Sequence, residues 1–481
     1  MNITEPLRRL ARVAPDAIAI LRADDTAVTF RDLDRMIDAA ASRLDGTGLV
    51  AGQVAGLAIT GPDEFPALIL ALALARAGIA SADPGLAADR MQLSLHQAGT
   101  PARTDLRSIA FDAGWTQVSP RMHLPVRPLH PGGDALCRIF SSSGTTGTAK
   151  FTAISHALIA RRILSNTLSM GPPGRVHICA VNYGITMGFC AVLQTLWAGH
   201  TLVMTSPARA MESIRRHHVD TLLIAPASLA ALLTTLPEAS TPPPSLRTIV
   251  MGGSAMPTHL LAPTRQRLCA HIVSYLGATE TGGIASAPFD LLAGMQGAVG
   301  VVHAGVEVQA VGEDDKPLPP GTSGALRIRG QNVAAGYLGA DPAHAAIFRD
   351  GWFYPGDLGA VTADGVVTIS GRVSDVINAG GVKVLPQVIE EALQSLPEIT
   401  DAAAFGAPDA MGVVQIWAAI VTTGPVPKAA LDAVCQGPLA AHPPKFVLRV
   451  DALPRNANGK IMRQELVRFV AAQQRGTAPP A

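Results

Sequence analysis

A loop of small hydroxyl residues and glycines, SSSGTTGTAK, occupies Ser141–Lys150 and ends in a lysine. Gly144 and Gly147 allow successive backbone N–H groups to turn inward and form a concavity that binds anions. The threonine hydroxyls add hydrogen-bond donors, and Lys150 adds a positive charge. The chemistry of the loop predicts a polyphosphate ligand, and the alternative for the loop taken alone is an ordinary flexible turn.

Two familiar motifs are excluded by spacing. The P-loop of kinases and GTPases needs four residues between its first glycine and the Gly-Lys pair that ends it. Here Gly147 and Lys150 are separated by two residues, and Phe151 follows the lysine. The stretch GGSAM at 252–256 also fails the Gly-x-Ser-x-Gly spacing of a serine hydrolase. A nucleotide at the Ser141–Lys150 loop must therefore be bound in another way.

Five further stretches place glycines beside carboxylates, hydroxyls and cations. They are GGSAMP (252–257), YLGATETGG (275–283), GWFYPGDLG (351–359), GRVSDVINAGGVKVLPQVIE (371–390) and LPRNANGKIMRQEL (453–466). Carboxylates accept from hydroxyl groups and bind hard cations, whereas arginine and lysine donate to anions. From residue types alone, a phosphate-binding site and an ordinary turn both stay open for the first loop.

An alternation of strands and helices must hold these stretches in place. Short apolar segments that end at Gly, Pro or Asn clusters predict buried parallel strands at 53–60, 175–181, 221–225 and 247–253. Helical patterns such as 211–218 and 228–236 lie between them. The alternation predicts α/β layers with a sheet covered on both faces.

The pattern changes in the second half of the chain. From about Val302 the sequence has the close turns and alternation of antiparallel β-structure. After Arg372, about a hundred residues are enough for a small domain. We therefore expect an α/β fold with a large N-terminal domain of α/β layers plus a β-rich subdomain at 1–373. A small α+β C-terminal domain is expected at 374–481.

Composition and charge limit the possible partners and compartments. The 481 residues include 38 basic and 37 acidic side chains, with no basic block, so neither nucleic acid nor an anionic membrane surface is expected as a partner. The five cysteines form no CxxC pair and are typical of small core residues in a reducing compartment. No signal-peptide pattern is visible at the N-terminus. The apolar run Phe65–Ala75 is shorter than the ~20 residues of a membrane helix, so we expect a buried helix, no membrane span and a cytoplasmic protein.

In this order and with these gaps, the six stretches resemble the adenylate-forming superfamily. That superfamily contains acyl- and aryl-CoA synthetases, adenylation domains of nonribosomal peptide synthetases, and luciferases. The resemblance runs from VTFRDLD (28–34) to NGKIMRQEL (458–466), nearly the whole chain, and is closest to the acyl- and aryl-CoA ligases. It implies an ATP-dependent acid–CoA ligase that first forms an acyl-adenylate and pyrophosphate and then transfers the acyl group to a thiol. ATP, Mg²⁺ and CoA are the implied cofactors, and a small carboxylic acid is the implied substrate.

The resemblance implies catalytic roles for Lys460, Glu280 and Thr279. Lys460 would reach the acyl carboxylate and the α-phosphate, Thr279 would face the α-phosphate, and Glu280 would hold Mg²⁺, with Thr145 as a second metal contact. An exposed structural lysine is the alternative for Lys460, which lies in the turn-forming run NANGK. A catalytically inactive nucleotide-binding module is disfavoured because such a module would not need Glu280, Asp357, Arg372 and Lys460 together.

The same comparison implies a nucleotide site in which Asp357 accepts hydrogen bonds from the ribose and Arg372 joins that contact. A turn aspartate is the alternative for Asp357. Leu276 stands where the family usually has an aromatic residue beside the adenine. The residues expected to bind ATP are Ser142, Ser143, Gly144, Thr145, Thr146, Gly147, Thr148, Lys150, Gly253, Ser254, Ala255, Leu276, Gly277, Ala278, Asp357 and Arg372.

The resemblance implies that the small C-terminal domain is mobile, because in the family this domain rotates about a residue two positions after the motif arginine. Here that residue is Ser374, where aspartate or lysine is usual. Gly380 and Gly381 would then let a pantetheine arm pass close to the backbone, and an ordinary tight turn is the alternative.

The acid pocket is expected to include Tyr183, Met187, Ala225, Gly252 and Gly283, and plain core packing is the alternative for Tyr183 and Met187. No carboxylate lies at 181–189, where adenylation domains for α-amino acids carry an aspartate, so an α-amino acid is disfavoured. Two acceptors remain open. CoA is favoured, and the phosphopantetheine of an acyl carrier protein is the alternative.

Overall fold

The computed structural model of the chain describes residues 1–59, 64–118, 128–143, 149–254, 256–339, 342–379, 382–409, 412–455 and 461–474. Its helices are α1 (Glu5–Val13), α2 (Phe30–Asp45), α3 (Phe65–Arg76), α4 (His156–Met170), α5 (Thr186–Trp197), α6 (Ala210–Arg216), α7 (Pro226–Thr235), α8 (Thr258–Arg267), α9 (Pro342–Ala345), α10 (Pro386–Gln394), α11 (Lys428–Gln436) and α12 (Arg463–Gln474).

The strands fall into four sheets among the described residues. They are β1 (Ile18–Leu21), β2 (Ala27–Thr29), β3 (Val54–Leu57), β4 (Ala80–Ala82), β5 (Leu93–Gln97), β6 (Ser108–Phe111), β7 (Leu136–Ser143), β8 (Ala149–Ser155), β9 (Val176–Cys179), β10 (Thr201–Val203), β11 (Thr221–Ile224), β12 (Thr248–Gly252), β13 (Ile272–Ala278), β14 (Gly282–Pro288), β15 (Ala298–Val302), β16 (Val306–Val311), β17 (Gly324–Gly330), β18 (Phe348–Arg349), β19 (Trp352–Phe353), β20 (Asp357–Val361), β21 (Val366–Arg372), β22 (Ile377–Ala379), β23 (Val382–Val384), β24 (Ile399–Pro408), β25 (Val414–Thr422) and β26 (Phe446–Arg449).

The α/β expectation is confirmed, but the predicted parallel strands divide between two sheets. One sheet has the order β6-β5-β3-β4-β7-β8. Its strands are parallel except for the antiparallel hairpin of β7 and β8. The strand predicted at 53–60 belongs to this sheet. The strands predicted at 175–181, 221–225 and 247–253 belong to the fifteen-stranded sheet.

The second sheet continues from parallel into antiparallel structure. Its fifteen strands follow the order β18-β19-β17-β20-β21-β15-β14-β13-β12-β11-β9-β10-β1-β2, with β16 paired to β17. Neighbours from β10 to β13 are parallel, and pairing becomes antiparallel at β13 and β14. The predicted β-rich subdomain is therefore an extension of the same sheet, with its own apolar cluster around Leu326, Ile328 and Phe353.

Apolar packing explains why the first half of the chain folds around α3. All of the residues from Phe65 to Arg76 are buried, as the uninterrupted apolar run predicted. The core cluster around α3 includes Leu57 of β3 and Leu202 of β10, so it draws on both large sheets. None of the helices that the structure describes is both long and apolar enough to cross a membrane.

A three-stranded sheet, β24-β25-β26, forms the centre of the last part of the chain. Helices α10 and α11 pack in one apolar cluster and α12 in another. Arg463 at the start of α12 joins the structure through Glu390, whose carboxylate lies 2.7 Å from its guanidinium. Burial raises the pKa of the Glu390 carboxyl, which opposes the effect of the arginine. The domain division at 373 and 374 stays a prediction.

A buried ion cluster joins the first three helices. The Arg76 guanidinium, 1% exposed, lies 2.6 Å from the Asp34 carboxylate and 2.9 Å from that of Asp38. Arg8 donates to both carboxylate oxygens of Asp38, at 2.7 and 2.9 Å. Asp34 and Asp38 together therefore neutralise two cations that the surrounding apolar core could not tolerate unpaired.

We expect Asp38→Asn to lower the free energy of unfolding by about 3–5 kcal/mol, because it leaves two buried cations to share the single carboxylate of Asp34. Denaturant titration would measure the change. Asp16→Asn is the matched control, since its pair with Arg31 at 3.1 Å is exposed and should contribute no more than about 1 kcal/mol. Equal effects of the two substitutions would contradict this account of the cluster.

Candidate functional site

The β7–β8 hairpin holds both ends of the predicted phosphate loop. Ser142 pairs with Lys150 across the hairpin, and the Ser142 hydroxyl donates to the Lys150 carbonyl at 3.5 Å. Both residues are half-buried. The loop residues between the strands, Gly144, Thr145, Thr146, Gly147 and Thr148, lie outside the described residues.

Lys150 is directed at an aromatic ring that the sequence analysis did not identify. Its Nζ lies 5.2 Å from the centre of the Tyr337 ring, a cation–π distance. Backbone contacts fix this arrangement, because Tyr337 forms a β-bridge with Thr152. The Leu338 amide also donates to the Phe151 carbonyl at 2.8 Å. The segment that contains Tyr337 is thus attached to β8, next to the phosphate loop.

Glu280 lies in the tight turn between β13 and β14. Ala278 pairs with Gly282, so the turn consists of residues 279–281. The Tyr337 hydroxyl donates to Glu280 Oε1 at 2.6 Å, and the Ala334 amide donates to the Glu280 carbonyl at 2.7 Å. Burial and the neighbouring Glu280 carboxylate both raise the pKa of the Tyr337 phenol, which keeps it protonated as a donor. Tyr337 therefore links the predicted metal residue to the phosphate-loop hairpin.

Asp357 and Arg372 come together because of strand register. They are directly opposite each other at the start of β20 and the end of β21. The Arg372 Nε lies 3.1 Å from Asp357 Oδ1, and both side chains are partly exposed. A carboxylate that can accept hydrogen bonds and a cation therefore lie together at one end of the β20–β21 hairpin. The predicted ribose contacts of Asp357 and Arg372 require this proximity.

The remaining predicted nucleotide residues lie at neighbouring strand ends. Gly253 and Ser254 follow β12 and are exposed, and Gly277 and Ala278 end β13 beside them. Leu276 is half-buried against the apolar cluster of the β-rich subdomain, next to an irregularity in the pairing of β13 and β14. Ala255 lies outside the described residues.

Several of the residues predicted for the acid pocket are close together. A methyl group on Gly252 would come within 2.7 Å of the Met187 sulfur and 3.3 Å of the Tyr275 ring. At Gly253 the nearest atoms would be the Met187 methyl, at 3.9 Å, and the Ala225 Cβ, at 4.0 Å. Met187, Ala225 and Gly252 therefore surround one small apolar region that Tyr275 also lines. Tyr183 belongs to the main core cluster, where it is fully packed.

Gly283 lies against a buried polar group that the sequence analysis did not find. A Cβ on Gly283 would come within 2.8 Å of the His303 Nδ1 and would also press against the Asn166 carboxamide. His303 bonds to the Ser286 hydroxyl at 2.8 Å, and Asn166 donates to the Tyr275 hydroxyl at 3.4 Å. Burial raises the pKa of Tyr275 to about 12. The aromatic edge of the predicted pocket is thus backed by neutral polar side chains.

Glu64 is another carboxyl group that the sequence analysis overlooked. Burial raises its pKa to about 7, and its negative form would raise the pKa of the Cys179 thiol and the Tyr183 phenol. Glu64 directly precedes α3, so it lies near Tyr183 through folding and not through sequence. A carboxyl in this position can be neutral or charged near neutral pH.

The predicted hinge residue, Ser374, is exposed in a single 3₁₀ turn at Val373–Asp375. Its hydroxyl donates to the Asp375 carboxylate at 3.0 Å. Three other predicted residues, Gly380, Gly381 and Lys460, lie outside the described residues. Among the residues that are described, no group of three or more His, Cys, Asp or Glu side chains could hold a metal ion.

The chain matches the family model of the AMP-binding enzyme at residues 7–338 and that of the AMP-binding enzyme C-terminal domain at 388–460. A feruloyl-CoA synthase from Amycolatopsis sp. is 27% identical over 96% of this chain and 98% of its own length. The sulfoacetate–CoA ligase of Cupriavidus necator is 32% identical over 74% and 72%. In fold, the o-succinylbenzoate CoA synthetase of Bacillus subtilis, solved with its acyl-adenylate intermediate, matches with a TM-score of 0.83 and 24% identity over 96% of this chain and 97% of its own.

The buried histidine beside Gly283 gives a pH prediction. Burial lowers the pKa of His303 to about 4, below the usual value of 6.5. Between these values the unfolded chain binds more protons than the folded protein, so folding stability falls as the pH drops from about 6.5 to about 4. Across this window His303 lowers the free energy of unfolding by roughly 3 kcal/mol in total.

We expect His303→Gln to make the unfolding free energy depend less steeply on pH across this window, as measured by denaturant titration at several pH values. Part of the dependence should remain, because burial also lowers the pKa values of His156 and His177 to about 4. The exposed His442 provides the matched control, since His442→Gln should leave the slope as in the unmodified protein. An unaltered slope in the His303 variant would show that His303 is not held neutral in the fold.

Proposed function

The chain belongs to the AMP-binding enzyme family, and on that basis we propose that it is an ATP-dependent acid–CoA ligase. In the first step a carboxylate oxygen attacks the α-phosphorus of ATP, the bond to the bridging oxygen breaks, and pyrophosphate leaves. In the second step the sulfur of CoA attacks the acyl carbon, the bond to the phosphate oxygen breaks, and AMP leaves as the thiol gives up its proton.

Relatives that match the whole chain and relatives that match part of it both support this assignment. Full-length relatives such as the feruloyl-CoA synthase and partial matches such as the sulfoacetate–CoA ligase carry CoA ligase names. These names cover an aromatic and a small sulfonated acid, so they support the reaction and not a particular acid.

The observation that carries the proposal is the connection of three chemically distinct groups around Tyr337. The Tyr337 hydroxyl lies 2.6 Å from the Glu280 carboxylate, and its ring lies 5.2 Å from Lys150. Lys150 follows the glycine- and threonine-rich loop in the chain. A cation and a buried carboxylate therefore meet at one tyrosine, next in the chain to a stretch rich in donors, as the approach of a carboxylate to a polyphosphate requires.

The residues also fit a hard cation. The hydrogen bond from Tyr337 engages Oε1 of Glu280, and a carboxylate has a second oxygen that can bind a metal. Mg²⁺ is usually held by one or two carboxylates together with substrate phosphates and water. When bound, it would supply neutralising charge to the phosphates. Glu280 is the residue that we assign to hold it, with Thr145 as the second contact.

The nucleotide and the adenylated acid are assigned to the neighbouring strand ends. Asp357, paired with Arg372 at 3.1 Å, is the acceptor for the ribose hydroxyls. Thr279 would face the α-phosphate, and Lys460 would donate to the reacting carboxylate and the α-phosphate. The hinge at Ser374 and the domain boundary at 373 and 374 would let Lys460 leave before Gly380 and Gly381 admit the thiol.

We assign the acid to the apolar region around Met187, Ala225 and Gly252. Close packing of Gly252 against Met187 and Tyr275 keeps this region narrow. These groups offer no charge to an ammonium ion, which favours an acid without an α-amino group. The charged form of Glu64, which lies near Tyr183, is the group that could pair with the ammonium of an α-amino acid. Amino acids are therefore included in the test.

The first experiment measures carboxylate-dependent pyrophosphate release from Mg·ATP with a panel of aliphatic, aromatic and amino acids, each with and without CoA. We expect release with at least one acid, and acyl-CoA together with AMP only when CoA is present. Pyrophosphate release without thioester formation would move the acceptor to a carrier-protein phosphopantetheine. A protein that binds Mg·ATP but releases no pyrophosphate with any acid would contradict the proposal.

Lys460→Ala should separate the two half-reactions. We expect the rate of adenylation to fall by a factor on the order of 10²–10³, because an oriented cation is removed from the reacting phosphate. Thioester formation from a synthetic acyl-adenylate should change much less, which stopped-flow or quenched assays would measure. Lys428→Ala is the control, since Lys428 is an exposed lysine of the same C-terminal segment. Equal losses in both half-reactions would contradict the role assigned to Lys460.

A further inference from the structure

A buried arginine on α4 reaches the turn that carries Thr279 and Glu280. Arg162 is 1% exposed, and its guanidinium donates through all three nitrogens to backbone carbonyls. Nη1 donates to the Thr279 carbonyl at 3.1 Å and Nη2 to the Glu280 carbonyl at 2.8 Å. Nε donates to the Asn332 carbonyl at 3.0 Å. One side chain thus holds the turn and the segment that leads to Tyr337.

The turn is shaped to pack against this arginine. Gly282, which ends the turn, has a φ of +69°, a conformation that favours glycine. A Cβ at this position would come within 2.8 Å of the Arg162 Cδ and 2.9 Å of its Cγ. The stem of Arg162 therefore occupies the space that any larger residue at 282 would need. The guanidinium lies where the carbonyls of the turn converge.

The position of Arg162 is also fixed from its own side. Ser155 caps the N-terminus of α4, because its hydroxyl accepts from the Leu158 amide at 3.2 Å. That serine ends β8, the strand that follows the phosphate loop. The phosphate-loop hairpin is therefore connected, through α4 and the bonds of Arg162, to the turn that contains Glu280.

A buried guanidinium bonded to carbonyls and not to a carboxylate is costly unless the arrangement has another use. The described hydrogen bonds of Arg162 go to backbone carbonyls. Its position fixes the backbone of Thr279 and Glu280 and leaves the Glu280 carboxylate to Tyr337. Lysine, with a single nitrogen, cannot reproduce three directed bonds from a planar group.

We propose that Arg162 is a positioning residue that holds the Thr279–Glu280 backbone so that the Glu280 carboxylate is directed toward the metal of Mg·ATP. The inference rests on the proposed function, since it concerns the same site. Arg162 acts through Glu280 and does not itself touch the nucleotide. Loss of its bonds would leave the carboxylate present but poorly oriented.

The test is calorimetric titration of the full-length protein with ATP over a range of Mg²⁺ concentrations, without any acid. We expect Arg162→Lys to raise the Mg²⁺ concentration for half-maximal ATP binding by about tenfold, the usual effect of disturbing the residues that orient a metal ligand. In a Glu280→Gln background, the same substitution should produce no further change, because the two residues act as one unit. Hydrogen exchange should also become faster at the Ala334 amide, which bonds to the Glu280 carbonyl.

Arg161 is a matched control on the preceding position of α4. Its Nε also donates to a backbone carbonyl, that of Gln331 at 2.9 Å, but its side chain is exposed and does not reach the turn. Arg161→Lys should leave the Mg²⁺ dependence unchanged. If Arg162→Lys does not fold, Arg162→Gln is measured in the same way, since its amide can still donate to one carbonyl.

The outcomes separate the two levels of the assignment. Normal Mg²⁺-dependent ATP binding by the unmodified protein and an unaltered dependence in the folded Arg162 variant would overturn this inference alone. A shift of the same size with and without Glu280 would also overturn it, because Arg162 would then act independently of that carboxylate. Absence of Mg²⁺-dependent ATP binding in the unmodified protein would overturn the proposed function and this inference with it.

Discussion

The burial of Glu280 is the constraint on which the site depends. A carboxylate that is 6% exposed must be compensated by hydrogen bonds or charge. The Tyr337 hydroxyl donates to one carboxylate oxygen of Glu280. The Ala334 amide and the Arg162 guanidinium donate to the backbone carbonyl of Glu280. Arg162 comes from α4, whereas Tyr337 and Ala334 come from the connection between β17 and β18, so the bonds to Glu280 bring these two parts of the chain together at one turn.

The long mixed sheet determines which of the remaining groups can join Glu280. Its parallel strands β12 and β13 end side by side, and the change to antiparallel pairing at β13 and β14 creates the turn with Glu280. The antiparallel part of the sheet then pairs β20 with β21, which aligns Asp357 with Arg372. Strand register therefore brings together residues that are far apart in the sequence, without any long loop to place them.

Much of this could be predicted from the sequence, because motif residues and apolar patterns are local signals. The glycine-hydroxyl loop, Glu280, Asp357 and the alternation of strands and helices are visible as short stretches. The partners of Glu280 are not visible in this way: Tyr337 lies 57 positions away and Arg162 lies 118 positions away. Each looks ordinary alone, an aromatic in a loop and an arginine on a helix. The division of the strands between two sheets was equally hidden, since a buried parallel strand has the same apolar pattern in either sheet.

Two ion pairs flank the connection between the two predicted domains, one on each side. On one side Arg372 pairs with Asp357, which belongs to the long sheet. On the other side Asp375 accepts from Arg463 at 2.9 Å, and Arg463 also holds Glu390 within the C-terminal core. Ser374 lies between these pairs, exposed, in one 3₁₀ turn. A rotation of the C-terminal segment that keeps both ion pairs intact must therefore be absorbed at Val373 and Ser374, where a small exposed serine can change its backbone angles at little cost. The hinge at Ser374 stays a prediction, and this geometry favours it although the family usually places a charged residue there.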